Sequence, residues 1–453
     1  MLRNRKRPAS SQIDMTTGPI LSLVVSFALP LCIGSILQQL YGTVDTLIIG
    51  NFCSSKSLAA VGTAVFPLEI FSFLFMGIGT GASILVSQYV GTGDNDRLKR
   101  LTHTSITFLY IFAIPASIIG VLTGAPILRL MQVPEDVLPY ALSYLQIVAL
   151  GQLGSLGYNM NAGLLRGLGD SKSSLLFLVV SCILNIFLDI LFIAIFHMDV
   201  AGAALATSIA MFVSWIMSIL YIRKHYPDLE FSYFPQRSDK EMFGNILKLG
   251  IPLGINNSFF SAGHIVLQTL VNAQGATFMA ACSVGDKLSG IANVAISAFA
   301  SAASTFAGQN LGARKMDRLK KGTRQISILA GGVCFILCMT VSVFCRPLLQ
   351  LFTHDPAIID MAMTYIWVFL PPFWTYAVLS VIISISNGIG DVKYSLIMNI
   401  LMLWAVRVPA AFLVDALGGG PYIIASYPIS YVFGMIAMIF FFKTRSWKRL
   451  FQN

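Results

Sequence analysis

Apolar stretches of about 20 residues recur along the whole chain, and short polar stretches separate them. Each is long enough for a helix to cross roughly 30 Å of hydrocarbon. They lack the alternation of apolar and polar residues typical of strands, and they are too long for the strands of a membrane barrel, so the pattern predicts helices. Twelve spans are predicted, at residues 20–48, 57–88, 103–123, 138–162, 173–195, 200–222, 246–272, 277–308, 323–345, 358–385, 394–414 and 421–442.

Composition agrees with a membrane protein. Of the 453 residues, 56% are hydrophobic and only 11% are charged, whereas about 25% are charged in a typical soluble domain. The net charge of +10 would suit a nucleic-acid partner, but the positions of the charges argue against one. If the N-terminus is cytoplasmic, 25 of the 30 Lys and Arg residues lie on the cytoplasmic side. This positive-inside bias predicts a multi-pass protein with both termini in the cytoplasm and no nucleic-acid partner.

The two halves of the sequence are related by an internal repeat. Three motifs of the first half recur in the same order in the second half, at offsets of 221 or 222 residues: ALPL at 28–31 and GIPL at 250–253, QYVGTGDNDRLKR at 88–100 and QNLGARKMDRLKK at 309–321, and RGLGDSK at 166–172 and NGIGDVK at 387–393. Chance does not readily produce three ordered matches, so the repeat indicates a duplication. Each copy holds six spans, and an even number gives both copies the same orientation in the membrane.

The predicted fold is therefore an all-α integral membrane protein. Its twelve transmembrane helices form two six-helix bundles, related by a pseudo-twofold axis along the membrane normal, with a central cleft. The predicted boundaries are an N-terminal lobe at 1–222, a cytoplasmic linker at 223–243 and a C-terminal lobe at 244–453. Rocking of the lobes about the cleft would give alternating access; a duplicated scaffold without transport is the alternative.

The repeated Gly-Asp loops have a structural interpretation. Gly169 and Gly390 are expected to end their helices in the left-handed conformation. Asp170 and Asp391 are expected to cap the helices that follow, whose first amides lack partners.

Two carboxylates, Asp45 and Asp189, lie within predicted spans. A charge at the centre of a bilayer costs at least ~3 kcal/mol, so such residues usually line a polar, functional cavity. Gln38 and Tyr41 share a helix face with Asp45, and Asn185 shares one with Asp189. The alternative is that Asp45 lies at the outer interface and Asp189 caps an outer loop.

A pair of carboxylates in a low-dielectric cavity can act in two ways. The two groups can share a proton, because repulsion and desolvation oppose double ionisation. They can also bind Na⁺ with help from amide and hydroxyl oxygens, which Asn185 and Thr207 could supply. Both possibilities are left open by the sequence.

Other polar residues within spans are weaker candidates. Arg407 precedes Pro409 and is expected to bond backbone carbonyls that the proline kink frees. For Glu69, a structural role is as well supported as a role in the substrate cleft. For His264, a packing role is favoured over a functional one. The candidates for the substrate cleft are Gln38, Tyr41, Glu69, Asn256, Asn257 and His264.

Several of these motifs together resemble one family. The run FALPLCIGSILQQLYGTVDTLIIGNF, followed by SLAAVG at Ser57–Gly62, resembles the first helix and loop of the multidrug and toxic compound extrusion (MATE) transporters. LRGLGDSK and ILNIFLDILFI fit as well, and the resemblance covers essentially the whole chain. The match to the prokaryotic DNA-damage-inducible-protein-like branch is good, because that branch carries an acid on helix one and a second on helix five. The resemblance implies a cation or proton site in the N-lobe at Asp45, Asn185, Asp189 and Thr207, with Asn161 beside it.

The same resemblance implies a function. The family exports organic, often cationic and amphipathic, compounds in exchange for H⁺ or Na⁺, and it has no other cofactor. We therefore expect a plasma-membrane protein of a prokaryote, a monomer, whose partners are drug-like small molecules and membrane lipid. Another branch carries its cation site in the C-lobe, but here the seventh span has no acid and Asp360 only begins the tenth.

Two other functions fit the sequence less well. A flippase for lipid-linked precursors needs several basic residues in its cleft, and away from the cytoplasmic ends of the spans only Lys287 and Arg407 are available. An enzyme needs a metal cluster or an activated nucleophile, and motifs such as H-E-x-x-H and G-x-S-x-G do not occur in the sequence. An antiporter is therefore preferred to a flippase, and an enzyme is not expected.

Overall fold

The computed structural model describes residues 12–235 and 238–441, and all regular secondary structure within them is helical. A π-helix, Ile190–Ile195, follows α6, and a second, Leu401–Arg407, joins α14 to α15. Short 3₁₀-helices cover Pro227–Leu229 and Gly420–Ala425. The α-helices are α1 Ile20–Phe52, α2 Ser55–Thr92, α3 Asn95–Leu130, α4 Leu138–Leu150, α5 Gln152–Leu168, α6 Ser171–Asp189, α7 Asp199–His225, α8 Lys240–Ala273, α9 Ala276–Gly312, α10 Met316–Val343, α11 Cys345–Gln350, α12 Pro356–Phe369, α13 Trp374–Gly388, α14 Val392–Ile400, α15 Val408–Ala416 and α16 Ser426–Phe441.

Each predicted span coincides with one helix or with consecutive helices. The span at 138–162 is divided into α4 and α5 at Gly151, and the span at 358–385 is divided into α12 and α13, which meet at a bend of 49°. By length and composition, eight described helices can cross a membrane, or nine if the bent pair counts as one. The all-helical membrane class is confirmed.

The repeated Gly-Asp loops end their helices as expected. Gly169 and Gly390 both have φ of +92°, in the left-handed region that glycine enters without steric cost. In the first copy Asp170 caps α6, because its carboxylate accepts a hydrogen bond from Ser173 N at 3.0 Å and another from Ser173 Oγ at 2.8 Å.

The expected cap at Asp391 is wrong, since no side-chain hydrogen bond caps α14. Asp170 is held in place by the hydroxyl of Ser173 and by the hydroxyls of Tyr221 and Tyr226, each at 3.0 Å. Tyr394 occupies the position in the second copy that Ser173 occupies in the first. The duplication therefore preserved the turn but not the carboxylate's network.

The chain forms two compact units. Unit 1 contains Ile33–Gly254, and unit 2 contains Met15–Cys32 and the chain from Ile255 onward. Both divisions fall inside a helix, just after Pro30 in α1 and Pro252 in α8. Because proline removes a backbone hydrogen bond, it locally weakens a helix. The boundaries at 222 and 244 follow the sequence repeat, whereas the units follow packing.

Within unit 1, α2 crosses the first half of α8 at glycines. Gly77 and Gly81 on α2 face Gly250 and Gly254 on α8, so both helices carry glycines four residues apart. A Cβ at Gly77 would lie 2.2 Å from Gly254 N, and one at Gly81 would lie 2.8 Å from Gly250 N. Small residues at this spacing let membrane helices pack backbone against backbone.

A buried cluster in unit 1 anchors the two helices that carry the intramembrane acids. Ile49, one turn beyond Asp45, and Ile193, one turn beyond Asp189, both belong to it. Leu128 and Leu145 from α3 and α4 complete its centre. The apolar packing therefore fixes both acid-bearing segments against the same neighbours.

Candidate functional site

The carboxyl groups of Asp45 and Asp189 lie together within unit 1. Asp45 is in the second half of α1, and Asp189 is the last residue of α6 and is fully buried. The two carboxyl groups lie close enough to interact electrostatically. Two ionised carboxylates so placed repel each other, so the pair favours a state in which one of them carries a proton.

Asn185 and Thr207 extend the pair into a polar cluster. Asn185, one turn before Asp189, is buried and donates a hydrogen bond from Nδ2 to Thr207 Oγ1 at 3.2 Å. Thr207, on α7, is also 3.3 Å from the hydroxyl of Tyr41, one turn before Asp45 on α1. The structure thus gathers residues from three helices, and it places Tyr41, a candidate for the substrate cleft, in contact with Thr207.

The cluster contains more hydrogen-bond acceptors than donors. Asp45 Oδ1, Asn185 Oδ1 and both carboxylate oxygens of Asp189 are buried and receive no hydrogen bond from the described residues. A buried acceptor without a donor lowers the stability of the fold by about 1–3 kcal/mol. Two ionised carboxylates in one buried cluster would also repel each other. A shared proton could bridge the two carboxyl groups, whereas a cation such as Na⁺ could also take the Asn185 oxygen as a ligand.

The acceptor set fits Na⁺ as well as a proton. Carboxylate and amide oxygens are the ligands that hard cations prefer. Among residues 12–235 and 238–441, no group of three or more His, Cys, Asp and Glu side chains could hold a metal ion. A bound Na⁺ would therefore need the Asn185 oxygen in addition to the carboxylates.

A π-helix begins directly after Asp189 and covers Ile190–Ile195. The corresponding span of the second copy contains the other π-helix, Leu401–Arg407. Such wide turns are rare and frequently occur at functional sites. The sequence analysis missed both, because local composition distinguishes a π-turn poorly from an α-turn.

Of the remaining N-lobe candidates, Asn161 has a partner of its own, Gln38 is exposed and Glu69 cannot be placed. Asn161 is buried, and its Nδ2 donates to Ser218 Oγ at 2.8 Å, a bond between α5 and α7. Gln38 is exposed. The side chain of Glu69 lies outside the described part of the structure.

The C-lobe candidates form separate small groups in unit 2. Asn256 accepts a hydrogen bond from Asn399 Nδ2 at 2.9 Å, whereas Asn257 is half-buried and His264 is exposed. Sequence analysis missed the pairing of Asp286 with the buried Tyr365, whose hydroxyl donates to the carboxylate at 2.6 Å. The acid within a span was the available signal, but its partner lies 79 residues away.

Arg407 is buried in unit 2, at 2% exposure. Its Nε donates to Ser430 Oγ at 2.9 Å, and its Cζ lies 4.6 Å from the Tyr427 ring centre and 4.7 Å from that of Tyr431. The expectation that it bonds carbonyls freed by Pro409 is therefore wrong. Aromatic faces attract a guanidinium, and this stack takes the place of backbone partners.

Comparison with known proteins agrees with this architecture. The family model MatE matches residues 30–191 and again residues 252–413. The two matches begin 222 residues apart, which confirms the duplication.

Curated relatives are similar over most of their length. The chain is 30% identical to the probable multidrug resistance protein YoeA of Bacillus subtilis (strain 168), over 86% of each chain. It is 29% identical to the probable multidrug resistance protein YpnP of the same organism, over 96% of this chain and 98% of that one. It is 25% identical to the multidrug export protein MepA of Staphylococcus aureus (strain NCTC 8325 / PS 47), over 88% of each.

Solved structures share the fold. A crystal structure of MATE in complex with MaL6 superposes with a TM-score of 0.91 at 20% identity, over 98% of this chain and 100% of that one. An outward-facing MATE transporter of the MOP superfamily gives 0.89 at 21% identity, over 99% and 100%. The chain therefore belongs to the MatE family of multidrug and toxic compound extrusion proteins, which are multi-pass membrane transporters and not enzymes.

Proposed function

We propose that this protein exports organic, often cationic and amphipathic, compounds across the plasma membrane of a prokaryote in exchange for H⁺ or Na⁺. Family membership supports drug export, since YoeA and YpnP are described as probable multidrug resistance proteins and MepA as a multidrug export protein. The single observation that carries the coupling is the buried cluster of acceptors around Asp45 and Asp189.

In this mechanism, the two acids hold the coupling cation. When a proton or Na⁺ is present, the charges of Asp45 and Asp189 are offset and the pocket can stay closed to water. When the cation leaves, the two ionised carboxylates repel each other and must be hydrated. The two occupancies therefore favour different packings of the surrounding helices, which is the condition for coupling an ion to a conformational change.

Neighbouring residues have distinct parts in holding the cation. Asn185 offers its amide oxygen to the site, while its Nδ2 is engaged by Thr207. The bond between Thr207 and the hydroxyl of Tyr41 then fixes the threonine. Thr207 and Tyr41 are thus positioning residues that orient Asn185.

Loss of drug resistance on removal of one acid tests this proposal. In a pump-deficient host, Asp45→Asn should abolish resistance while the protein still reaches the membrane in normal amounts. Asp360→Asn is the matched control, because Asp360 is an exposed acid on α12. Full resistance in the Asp45→Asn variant would remove the proposed role of the pair.

The flippase alternative receives less support. The sequence made only Lys287 and Arg407 available for a phosphate-binding cleft, which is fewer than a flippase needs. Lys287 Nζ lies 5.5 Å from the ring centre of Phe352, and Arg407 is buried among aromatic rings. Neither arrangement resembles a group of cations that share one phosphate.

A further inference from the structure

A groove of about 780 Å³ opens on the surface of unit 2 between α10, α13 and α16. Its polar end is formed by one face of α10, and its remaining wall is apolar. The α10 residues that line it lie between Lys320 and Phe335. The polar end is lined by Lys320, Arg324 and Ser327, and the apolar wall by residues that include Gly332, Phe335 and Ile439.

The polar end carries two cations on one stripe of helix. Lys320 and Arg324 are four residues apart, are both exposed, and both line the groove. Both side chains carry the same charge on one face of the helix, so an anion that reaches this end of the groove is attracted by both.

A buried hydroxyl lies one turn further along the same stripe. Ser327 is 9% exposed, and its Oγ has no hydrogen-bond partner among the described residues. A helical serine or threonine ordinarily bonds the carbonyl one turn earlier, as Thr323 Oγ1 does with Leu319 O at 2.8 Å. Ser327 therefore offers an unused polar group to whatever enters the groove beside the two cations.

Two glycines shape the apolar part of the groove. A Cβ at Gly331 would lie 2.9 Å from Val378 Cγ2, so α10 and α13 approach closely there. A Cβ at Gly332 would have no neighbouring atom within 4 Å, so the groove is open at this residue. From Lys320 to Phe335 the helix rises about 22 Å, which exceeds half of the roughly 30 Å hydrocarbon core.

We propose that this groove is a binding site for an anionic glycerophospholipid. The phosphate lies between Lys320 and Arg324, Ser327 donates to a headgroup or ester oxygen, and one acyl chain extends past Gly332 to Phe335. The ligand must combine a negative group with a long apolar chain, because the groove pairs these two environments in that order along one helix.

The positive charge of the groove favours an anionic lipid over an exported cationic compound and over the C-terminal segment of the chain. The exported compounds, which we expect to be cationic in many cases, would be repelled by Lys320 and Arg324. The C-terminal residues after Ile439 include Lys443, Arg445, Lys448 and Arg449, so that segment has the same sign as the rim. An anionic lipid is the abundant membrane component with the opposite charge.

Native mass spectrometry of the purified, delipidated full chain tests the proposal. Phosphatidylglycerol and phosphatidylcholine with identical acyl chains are titrated separately. The wild type should bind phosphatidylglycerol roughly tenfold more tightly. The double variant Lys320→Gln/Arg324→Gln should bring the two affinities within about twofold of each other.

A matched double variant controls for lost charge alone. Arg314→Gln/Lys321→Gln also removes two exposed cations near the start of α10, but neither residue lines the groove. It should keep the preference for phosphatidylglycerol. An unchanged preference in Lys320→Gln/Arg324→Gln, or an equal loss in the control, would overturn the proposal.

Filling the groove provides an independent variant. Gly332→Leu places a side chain into open space and replaces a helix-weakening residue, so the thermal midpoint should not fall. Binding of both lipids should drop at least tenfold. Retained binding in this variant would contradict the site.

Competition separates a lipid from other ligands. Inorganic phosphate at millimolar concentration should leave phosphatidylglycerol bound, because it lacks an acyl chain. Displacement by phosphate would reduce the site to an anion site, and displacement by a transported drug would assign the groove to transport; either result would overturn the proposal. None of these readouts depends on drug export, so their failure is distinguishable from failure of the proposed antiport.

Discussion

The side-chain amide of Asn185 donates to Thr207 Oγ1 at 3.2 Å, and this bond leaves the carbonyl oxygen of Asn185 as a buried acceptor beside Asp189. Asn185 and Thr207 belong to consecutive helices, α6 and α7. Their contact thus determines which end of the amide faces the acid pair. The proposed cation site, with an amide oxygen as a ligand, depends on this one orientation.

Replacing Thr207 tests that orientation. Thr207→Val keeps the shape but removes the acceptor for Asn185 Nδ2, which leaves a buried donor unpaired at a cost of about 1–3 kcal/mol. Since the amide can then rotate, we expect the apparent affinity for the coupling cation to fall roughly tenfold or more. Thr207→Ser retains the hydroxyl and should stay within about threefold of the wild type. The concentration of cation at half-maximal drug export measures both, and equal affinities in the two variants would contradict the assigned role.

Removing a carboxylate should uncouple stability from the cation. A ligand at 100 times its dissociation constant stabilises the folded state by about 2.7 kcal/mol, so the thermal midpoint of the wild type should rise when the coupling cation is supplied. Asp189→Asn removes a buried carboxylate whose two oxygens lack donors. This variant should lose the response while folding normally. A cation-dependent rise of the same size in Asp189→Asn would show that the cation binds elsewhere.

Asn161 should behave as a packing residue. Its Nδ2 bonds Ser218 Oγ at 2.8 Å within the protein, and loss of a buried hydrogen bond costs about 1 kcal/mol, or more when a partner is left unpaired. Asn161→Ala should therefore lower the thermal midpoint by a few degrees and leave the cation dependence of export unchanged. Ser218→Ala should produce the same pattern. A shifted cation dependence in Asn161→Ala alone would return Asn161 to the ion site.

The glycine crossing between α2 and α8 predicts a sharp difference between neighbouring residues. Gly77→Ala places a Cβ 2.2 Å from Gly254 N, so the helices must separate. We expect a loss of folded protein or a destabilisation of about 2 kcal/mol or more. Gly79→Ala meets no atom within 4 Å and is the matched control, which should be tolerated. Fluorescence-detected size-exclusion and thermal midpoints compare the two, and equal tolerance would contradict the close packing.

The sequence predicted the helical class and the duplication, because both depend on patterns that repeat over hundreds of residues. It also identified Asp45 and Asp189, since ionisable residues stand out against apolar spans. It could not show that Tyr41 meets Thr207 while Asn161 meets Ser218. Those contacts join helices far apart in sequence, and helical periodicity specifies only the face of a residue.

Local backbone and side-chain geometry was the second feature that the sequence could not predict. The π-helix after Asp189 and the stacking of Arg407 on Tyr427 and Tyr431 depend on packing, which a residue pattern does not encode. The missing cap at Asp391 has the same origin, because its counterpart Asp170 is held by tyrosines from another helix and a loop.

Transport in vesicles with proton and sodium gradients imposed separately tests the central claim most directly. Purified protein is reconstituted, one gradient is applied at a time, and uptake or release of a fluorescent organic cation is followed in the wild type, Asp45→Asn and Asp189→Asn. The account predicts that one of the two gradients drives the drug in the wild type and that neither gradient does so in either variant. Gradient-driven movement of the drug at the wild-type rate in both variants would contradict it.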